Sequence, residues 1–211
     1  MDIIQLTHRN SYVIATHDSD GTLLVGEDAV RRLLLKHLLK LGPEDRYLRF
    51  FNMQNDNGIG AYVERIDLTE DGVFVAFDEN GKKIVGFLHA LRIENLETEY
   101  EFGLTVNPDR RGQGIGYDLF ATAMKWAQNL GGQRIYINCL FQNVAMQKIA
   151  EKFRMESRKI DYETKESEIR IGSAPNLLAY AAQQTANSVL LCDLAYRRQI
   201  HSLMSYFGVA H

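Results

Sequence analysis

The spacing of apolar positions along this chain changes several times, and each change marks a structural element. SYVIATH (11–17) and TLLVGE (22–27) read as short strands around the turn DSDG. GEDAVRRLLLKHLLKLGP then repeats with the helical period, so that Val30, Leu33, Leu34, Leu38 and Leu41 share one face. Glu27 and Asp28 lie in its first turn and Lys36, His37 and Lys40 in its last, with Gly42 and Pro43 as stop signals. Arg31, Arg32, Lys36 and Lys40 read as the solvated outer face of that helix, not as a nucleic-acid patch. A weaker helical pattern covers AYVERID (61–67).

The alternation returns in GVFVAFDENGKKIVGFLHALRIE (72–94), two β-rich runs around ENGK, where Asn80 and Gly81 suit a tight primed turn. ETEYEFGLTV (97–106) follows the polar break at Asn95 as a third antiparallel strand. After it come RRGQGIG (110–116), a helix to about Leu130, a Gly-Gly turn and the strand RIYINCL (134–140). Strand, glycine loop, helix, strand is a βαβ unit, so strands 98–106 and 134–140 should lie parallel. The expected fold class is α+β, with a mixed, mostly antiparallel sheet, flanking helices and an extra C-terminal helical segment. In that segment an apolar stripe runs through Leu178, Ala182, Ala186, Val189, Tyr196, Ile200, Leu203 and Phe207. One continuous helix would be about 50 Å long, more than the width of the domain, so a break is expected at Asn187 and Ser188. Residues 1–172 then form one domain and 173–211 an extension, packed back on the sheet, on a partner subunit as a homodimer contact, or as a lid over a binding site.

Composition changes the picture by exclusion. With 211 residues, 45% of them hydrophobic and 24% charged, the chain has the profile of one ordinary globular domain. No run approaches the roughly 20 apolar residues of a membrane span, and MDIIQLTHRNSY lacks the layout of a secretion signal, so a cytoplasmic location without membrane association is expected. A net charge of −3 is too mild to imply nucleic acid as a partner. Cys139 and Cys192 lie far apart in apolar runs without metal-ligand spacing, and read as reduced, buried thiols with no disulfide and no metal site.

The loop RRGQGIG carries the chemistry. Its glycines are spaced GxGxG from Gly112, with Asp118 where the dinucleotide fingerprint needs its last glycine, and the GK[ST] of a Walker loop is missing. Glycines nevertheless admit a ligand close to the backbone, and amides ahead of a helix point partial positive charge at an anion. A pyrophosphate fits, with Arg110 and Arg111 adding charge-assisted contacts.

The segment LTVNPDRRGQGIGYDLF resembles the acyl-CoA signature of the GNAT N-acyltransferase superfamily, a strand ending in Val followed by [QR]xxGxG or [QR]xxGxA, with Arg111, Gly114 and Gly116 at those places. The likeness runs from about residue 22 to 160, and RYLRFF (46–51) after the first helix is similar to the bacterial protein-lysine acetyltransferase type. The resemblance implies acetyl-CoA as cosubstrate, held by backbone groups of Leu104, Thr105 and Val106 and by Arg111, Gly112, Gln113, Gly114, Ile115 and Gly116. It also implies that Asn143, opening the helix NVAMQKIAEKFRM, contacts the pantetheine arm; the same side chain suits an N-cap for the helix from Val144.

The implied function is transfer of an acetyl group to a primary amine, on a small molecule or a protein lysine, by direct attack. A non-catalytic acyl-CoA sensor is the alternative. A lysine amine, with a pKa near about 10.4, needs a base. Glu101, five residues before Val106, stands where the lysine-acetyltransferase type carries its catalytic glutamate, flanked by Tyr100 and Phe102, which should partly desolvate it. The tyrosine that often protonates the leaving thiolate, seven residues after the helix asparagine, is Ala150 here. Tyr117, Tyr136 and Tyr162 remain as unplaced substitutes, and a thiol with a pKa near about 8.5 can also leave with water as the acid. A second departure is Arg154, where the family ends GF with glycine. His89 reads as a packed strand histidine rather than a second base, and Trp126 as core.

Overall fold

The structure, a computed structural model, describes residues 3–6, 15–17, 23–172 and 176–206. Among these residues nine strands and six α-helices follow in the order β1 (Ile3–Gln5), β2 (Ala15–His17), β3 (Leu23–Val25), α1 (Gly26–Leu38), α2 (Pro43–Phe50), α3 (Asp56–Arg65), β4 (Gly72–Phe77), β5 (Ile84–Arg92), β6 (Glu99–Val106), α4 (Ile115–Asn129), β7 (Arg134–Leu140), α5 (Val144–Lys152), β8 (Glu156–Lys159), β9 (Thr164–Arg170) and α6 (Leu177–Tyr206). Seven strands form one sheet in the order β1-β4-β5-β6-β7-β9-β8, and β2 pairs with β3 separately. Every neighbour in the large sheet is antiparallel except β6 and β7. This is the expected α+β class. The parts of the predicted first hairpin at 11–14 and 18–22 lie outside the described residues.

The central strands read as almost unbroken apolar runs because both sheet faces are covered. Val73, Val75, Phe77 and Phe87 pack under α1 and α3 with Leu34, Leu38, Ile59 and Val63. Phe74, Leu88, Tyr100 and Phe102 pack on the other face under α4, with Leu119, Phe120 and Trp126. Burying one such side chain contributes roughly 1.5–3 kcal/mol, so the sandwich itself supplies most of the driving force. The whole predicted α1 stripe, Val30 to Leu41, is buried. Of its basic residues, Arg31 does more than face solvent. Its guanidinium donates to the carbonyls of Val63 (2.6 Å), Glu64 (3.2 Å) and Ile66 (3.1 Å), satisfying the open end of α3.

Four expectations need correction. The turn at 78–83 is not a tight primed one: Gly81 has φ 68°, Asn80 does not share a positive φ, and the Asp78 carboxylate instead accepts from the Lys82 and Lys83 amides at 2.8 and 3.1 Å. Helix α6 continues through Asn187 and Ser188 without a break. Its face is also the reverse of the predicted stripe, since Leu178, Val189 and Tyr196 are exposed while Asn187, Leu191 and Leu194 are buried. Side chains at 200 and 203, and residue 207, lie outside the described set. Cys139 is buried as expected, but Cys192 is exposed.

Asn187 explains the unbroken helix. Its side chain accepts from the Gln5 amide (2.9 Å) and donates to the Gln5 carbonyl (3.0 Å), closing the free edge of β1 as another strand would. Gln184 adds a bond to the Gln5 side chain at 3.0 Å, and Asn129 of α4 donates to Gln183 at 2.8 Å. The inward surface of α6 is polar at this level because it meets the edge of β1 and polar side chains beside it.

His37 fastens α1 to the sheet. Nδ1 lies 3.1 Å from the Ile84 carbonyl and Nε2 2.8 Å from Thr105 Oγ1. The carbonyl can only accept, so Nδ1 carries the proton and Nε2 accepts from the threonine. Burial is the main cause that lowers the pKa of His37 to about 4, with the Ile84 bond opposing it. The unfolded imidazole protonates near about 6.5, so stability is lost as pH falls from there toward 4. We expect a loss of about 3 kcal/mol from this group over that window, read from urea midpoints, and a flatter profile in His37→Gln.

Candidate active site

The site is made by the end of one pairing ladder. β6 pairs antiparallel with β5 from Tyr100 to Val106, but with β7 only through Glu99, Tyr100 and Glu101. Beyond Tyr136, β7 stays with β9 as far as Leu140 while β6 stays with β5, and the two strands part. The backbone of residues 102–106 is left open toward a cleft of about 480 Å³, walled by α2, α5 and the start of α4. Glu101, Leu104, Thr105, Val106, Arg111, Gly112, Gly114, Ile115, Gly116 and Asn143 all line it; of the residues singled out from sequence, Gln113 stands outside the lining.

Pro108–Arg110 form a single 3-10 turn after β6, and the chain then passes through Gly112 and Gly114 at φ 75° and 84°, where a side chain would be strained. The Asp118 amide bonds back to the Gly114 carbonyl at 3.0 Å, so the amides of Ile115, Gly116 and Tyr117 are helix-start donors with no intrahelical acceptor. Gly116 has a packing role as well, since a Cβ there would lie 3.2 Å from Ile149 and 3.3 Å from Leu104. Arg111 donates from Nε to the Val106 carbonyl (3.3 Å) and pairs with Asp45 of α2 at 2.7 Å, tying the loop to that helix. Lys148 and Lys152 of α5 join Arg110 and Arg111 in the lining, two cations that sequence reading missed. Asn143 caps α5 through the Met146 amide at 3.1 Å, and lines the cleft at the same time.

Glu101 faces the cleft, half-buried, and accepts a 3.2 Å bond from Asn138 Nδ2 across the gap between β6 and β7. The expected source of its desolvation is wrong. Tyr100 and Phe102 alternate to the other sheet face and pack under α4, so the neighbours of Glu101 come from α2 and α3 instead. Burial first, and then Asp71 and Glu101 nearby, raise the pKa of Tyr62 against the lowering effect of Arg49. A line of hydrogen bonds runs through this region: Asp71 Oδ2 to His89 Nε2 (2.9 Å), His89 Nδ1 to the Tyr62 hydroxyl (2.9 Å), and Arg49 Nη2 to the same hydroxyl (2.9 Å). The carboxylate accepts, so His89 donates from Nε2 and accepts from Tyr62 at Nδ1. His89 is therefore a packed strand histidine, but one that belongs to a buried relay ending on Arg49.

Sequence reading missed α2, and with it Arg49. Gly42 and Pro43 mark the stop of α1, yet Pro43 with Glu44 and Asp45 is also a helix opening. Ala150 is buried and offers no hydroxyl. Of the substitute tyrosines, Tyr117 lines the cleft, Tyr136 donates to Glu99 at 2.7 Å, and Tyr162 is 93% exposed. Neither cysteine lines the cleft, and burial raises the pKa of Cys139, so no activated thiol stands there. Among the described residues no group of metal-ligating side chains is assembled, and no helix is long and apolar enough to cross a membrane.

A sequence model described as the Acetyltransferase (GNAT) family matches residues 44–154, just over half of the chain. The chain belongs to the GNAT acetyltransferase family. Its fold is shared by an N-acetyltransferase from Staphylococcus aureus Mu50, at 18% identity and TM-score 0.53, covering 69% of this chain and 93% of that one. The GNAT domain of S. lividans PAT superposes with TM-score 0.57 at 16% identity, covering 74% and 95%. A GNAT superfamily phosphinothricin acetyltransferase from Sinorhizobium meliloti, in complex with AcCoA, gives 0.54 at 14% identity, covering 71% and 87%. No curated protein matches the chain.

The GNAT departure at Arg154 has a measurable cost. Arg154 follows α5 with φ 54°, while Met155 bonds back to the Ala150 carbonyl at 2.9 Å. Such a helix end usually carries glycine. Arg154→Gly should stabilise the protein by about 1 kcal/mol, seen as a higher denaturant midpoint at unchanged slope.

Proposed function

We propose that this GNAT protein transfers an acetyl group from acetyl-CoA to a primary amine by direct attack within a ternary complex. The observation that carries this reading is the order of groups along one cleft: basic loop and helix start, open β6 backbone, then the Glu101 carboxylate. The Gly112–Gly116 amides with Arg110, Arg111, Lys148 and Lys152 suit the phosphates. The Leu104 peptide groups and the Val106 amide, which alternate toward the gap on either side of Thr105, suit the amide-bearing pantetheine arm, with Asn143 beside it, and one free N–H there can polarise the thioester carbonyl.

Glu101 takes the proton of the ammonium, and the amine lone pair then attacks the carbonyl carbon. The C–N bond forms, the C–S bond breaks, and the second proton shed by the nitrogen passes through water to the departing thiolate, since Ala150 cannot supply one. Asn138 holds the carboxylate toward the cleft. Residues 1–172 would be the transferase domain and 173–211 a helical extension, whose outward Leu178, Val189 and Tyr196 suit a homodimer contact. The acceptor class is a small molecule or a protein lysine, in a cytoplasmic setting.

Ala150 favours one other reading, a non-catalytic acyl-CoA sensor. Free-thiol release from acetyl-CoA with a panel of amines and lysine peptides separates the two: the transferase turns over with at least one, whereas tight CoA binding without turnover favours the sensor. Glu101→Gln should lower kcat by about 10²–10⁴-fold at unchanged CoA affinity, and undiminished turnover removes Glu101 as the base. Gly114→Ala, strained at φ 84°, should instead weaken CoA binding, measured by calorimetry.

A further inference from the structure

Several arginines of the described residues are neutralised locally. Arg46, Arg111, Arg134 and Arg158 each have a carboxylate within ion-pair distance. Arg49 has none; its Nη2 bonds to the neutral Tyr62 hydroxyl, and its Nε is buried without a partner. The guanidinium stacks on Phe50 and Tyr62, 5.1 and 5.5 Å from their ring centroids. It lies flat over Gly103, where a methyl group would overlap it. Arg49, Gly103 and Glu101 all line the cleft.

A half-buried guanidinium remains charged under all working conditions, and without a counter-ion it costs free energy that an anion would recover. It is also held still. Asp71 fixes His89, His89 fixes the Tyr62 hydroxyl, and that hydroxyl fixes Nη2. His89 stands opposite Gly103 in the β5–β6 register, so the relay ends against the bare stretch of strand on which Arg49 rests. A fork donor oriented in this way matches a carboxylate.

We propose that the acceptor is an amino acid whose carboxylate is anchored by Arg49 while its amine faces Glu101. Residues 101 and 103 point to the same face, about 7 Å apart along the strand, so the Glu101 carboxylate and the guanidinium resting on Gly103 stand side by side in one cleft. Asp71, His89 and Tyr62 are positioning residues for the guanidinium. This inference rests on the transferase reading for its chemistry but not for its binding test.

Matched pairs of α- or β-amino acids and the amines left on removing their carboxyl group provide the experiment. Turnover should favour the amino acid, and Arg49→Gln should raise its KM about 10- to 100-fold while leaving the KM of the plain amine and the affinity for CoA unchanged. Tyr62→Phe should shift KM in the same direction by less, again only for the amino acid; Arg49→Lys, which keeps charge but loses the fork, should fall between. Equal effects of Arg49→Gln on both members of a pair, or a preference for the plain amine, overturn the proposal. Calorimetry of N-acetyl amino acids against N-acetyl amines, with CoA present, reads the same pocket without chemistry. Binding confined to the carboxylate compound and lost in Arg49→Gln supports the anchor even if no turnover is seen, in which case the transferase reading is what fails. Absence of that binding overturns the anchor.

Discussion

The parallel pairing of β6 with β7 stops at Glu101 and Tyr136, and the site depends on that stop. Parallel strands joined by a helix must both serve the sheet, yet here each remains loyal to its antiparallel neighbour, β6 to β5 and β7 to β9. The parting exposes peptide groups that elsewhere in the sheet are spent on pairing, which is how a rigid core comes to present unsatisfied donors and acceptors without local disorder. Glu101 occupies the last paired position, and Asn138 reaches it across the opening. The carboxylate is thereby fixed at the vertex, and the side of β6 that β7 leaves bare faces the cleft.

How legible this was depended on the range of the interactions involved. The three-strand meander, the glycine loop and the βαβ crossover are written in local periodicity and turn residues, and they could be read directly. The order of Glu101, Val106 and the loop followed because they share one strand and its continuation. Arg49, Tyr62, His89 and Asp71 could not be read in the same way. They come from α2, α3, β5 and the segment just before β4, and only the packing of α2 and α3 against β5 and β6 brings them into line. The face of α6 departs from its apolar stripe for a related reason. A hydrophobic stripe is a sound guide where a helix meets side chains, but at the level of β1 it meets a strand edge, and amides are what an edge requires. Cys192 was misplaced with that face.

Two buried histidines show how differently one residue type can be used. His37 is held neutral between a carbonyl and a threonine hydroxyl, and its task is to join α1 to the strand that carries the site. His89 passes orientation from Asp71 to Tyr62 on the same face of the sheet. The first secures the position of β6 and the second directs a side chain at it, so the polar interior of the α1–α3 layer is organised around one strand.

The closure of β1 by Asn187 has a bearing on behaviour at high concentration. A sheet with two open edges invites strand addition by neighbouring molecules, and the two edges here are guarded by different means. β8, at the far side, is Glu-Ser-Arg-Lys and fully exposed, so its guard is charge and hydration. β1 is short and apolar, and its guard is a carboxamide lent by a helix from the opposite end of the chain. The C-terminal helix thus covers an edge to which another strand could otherwise add.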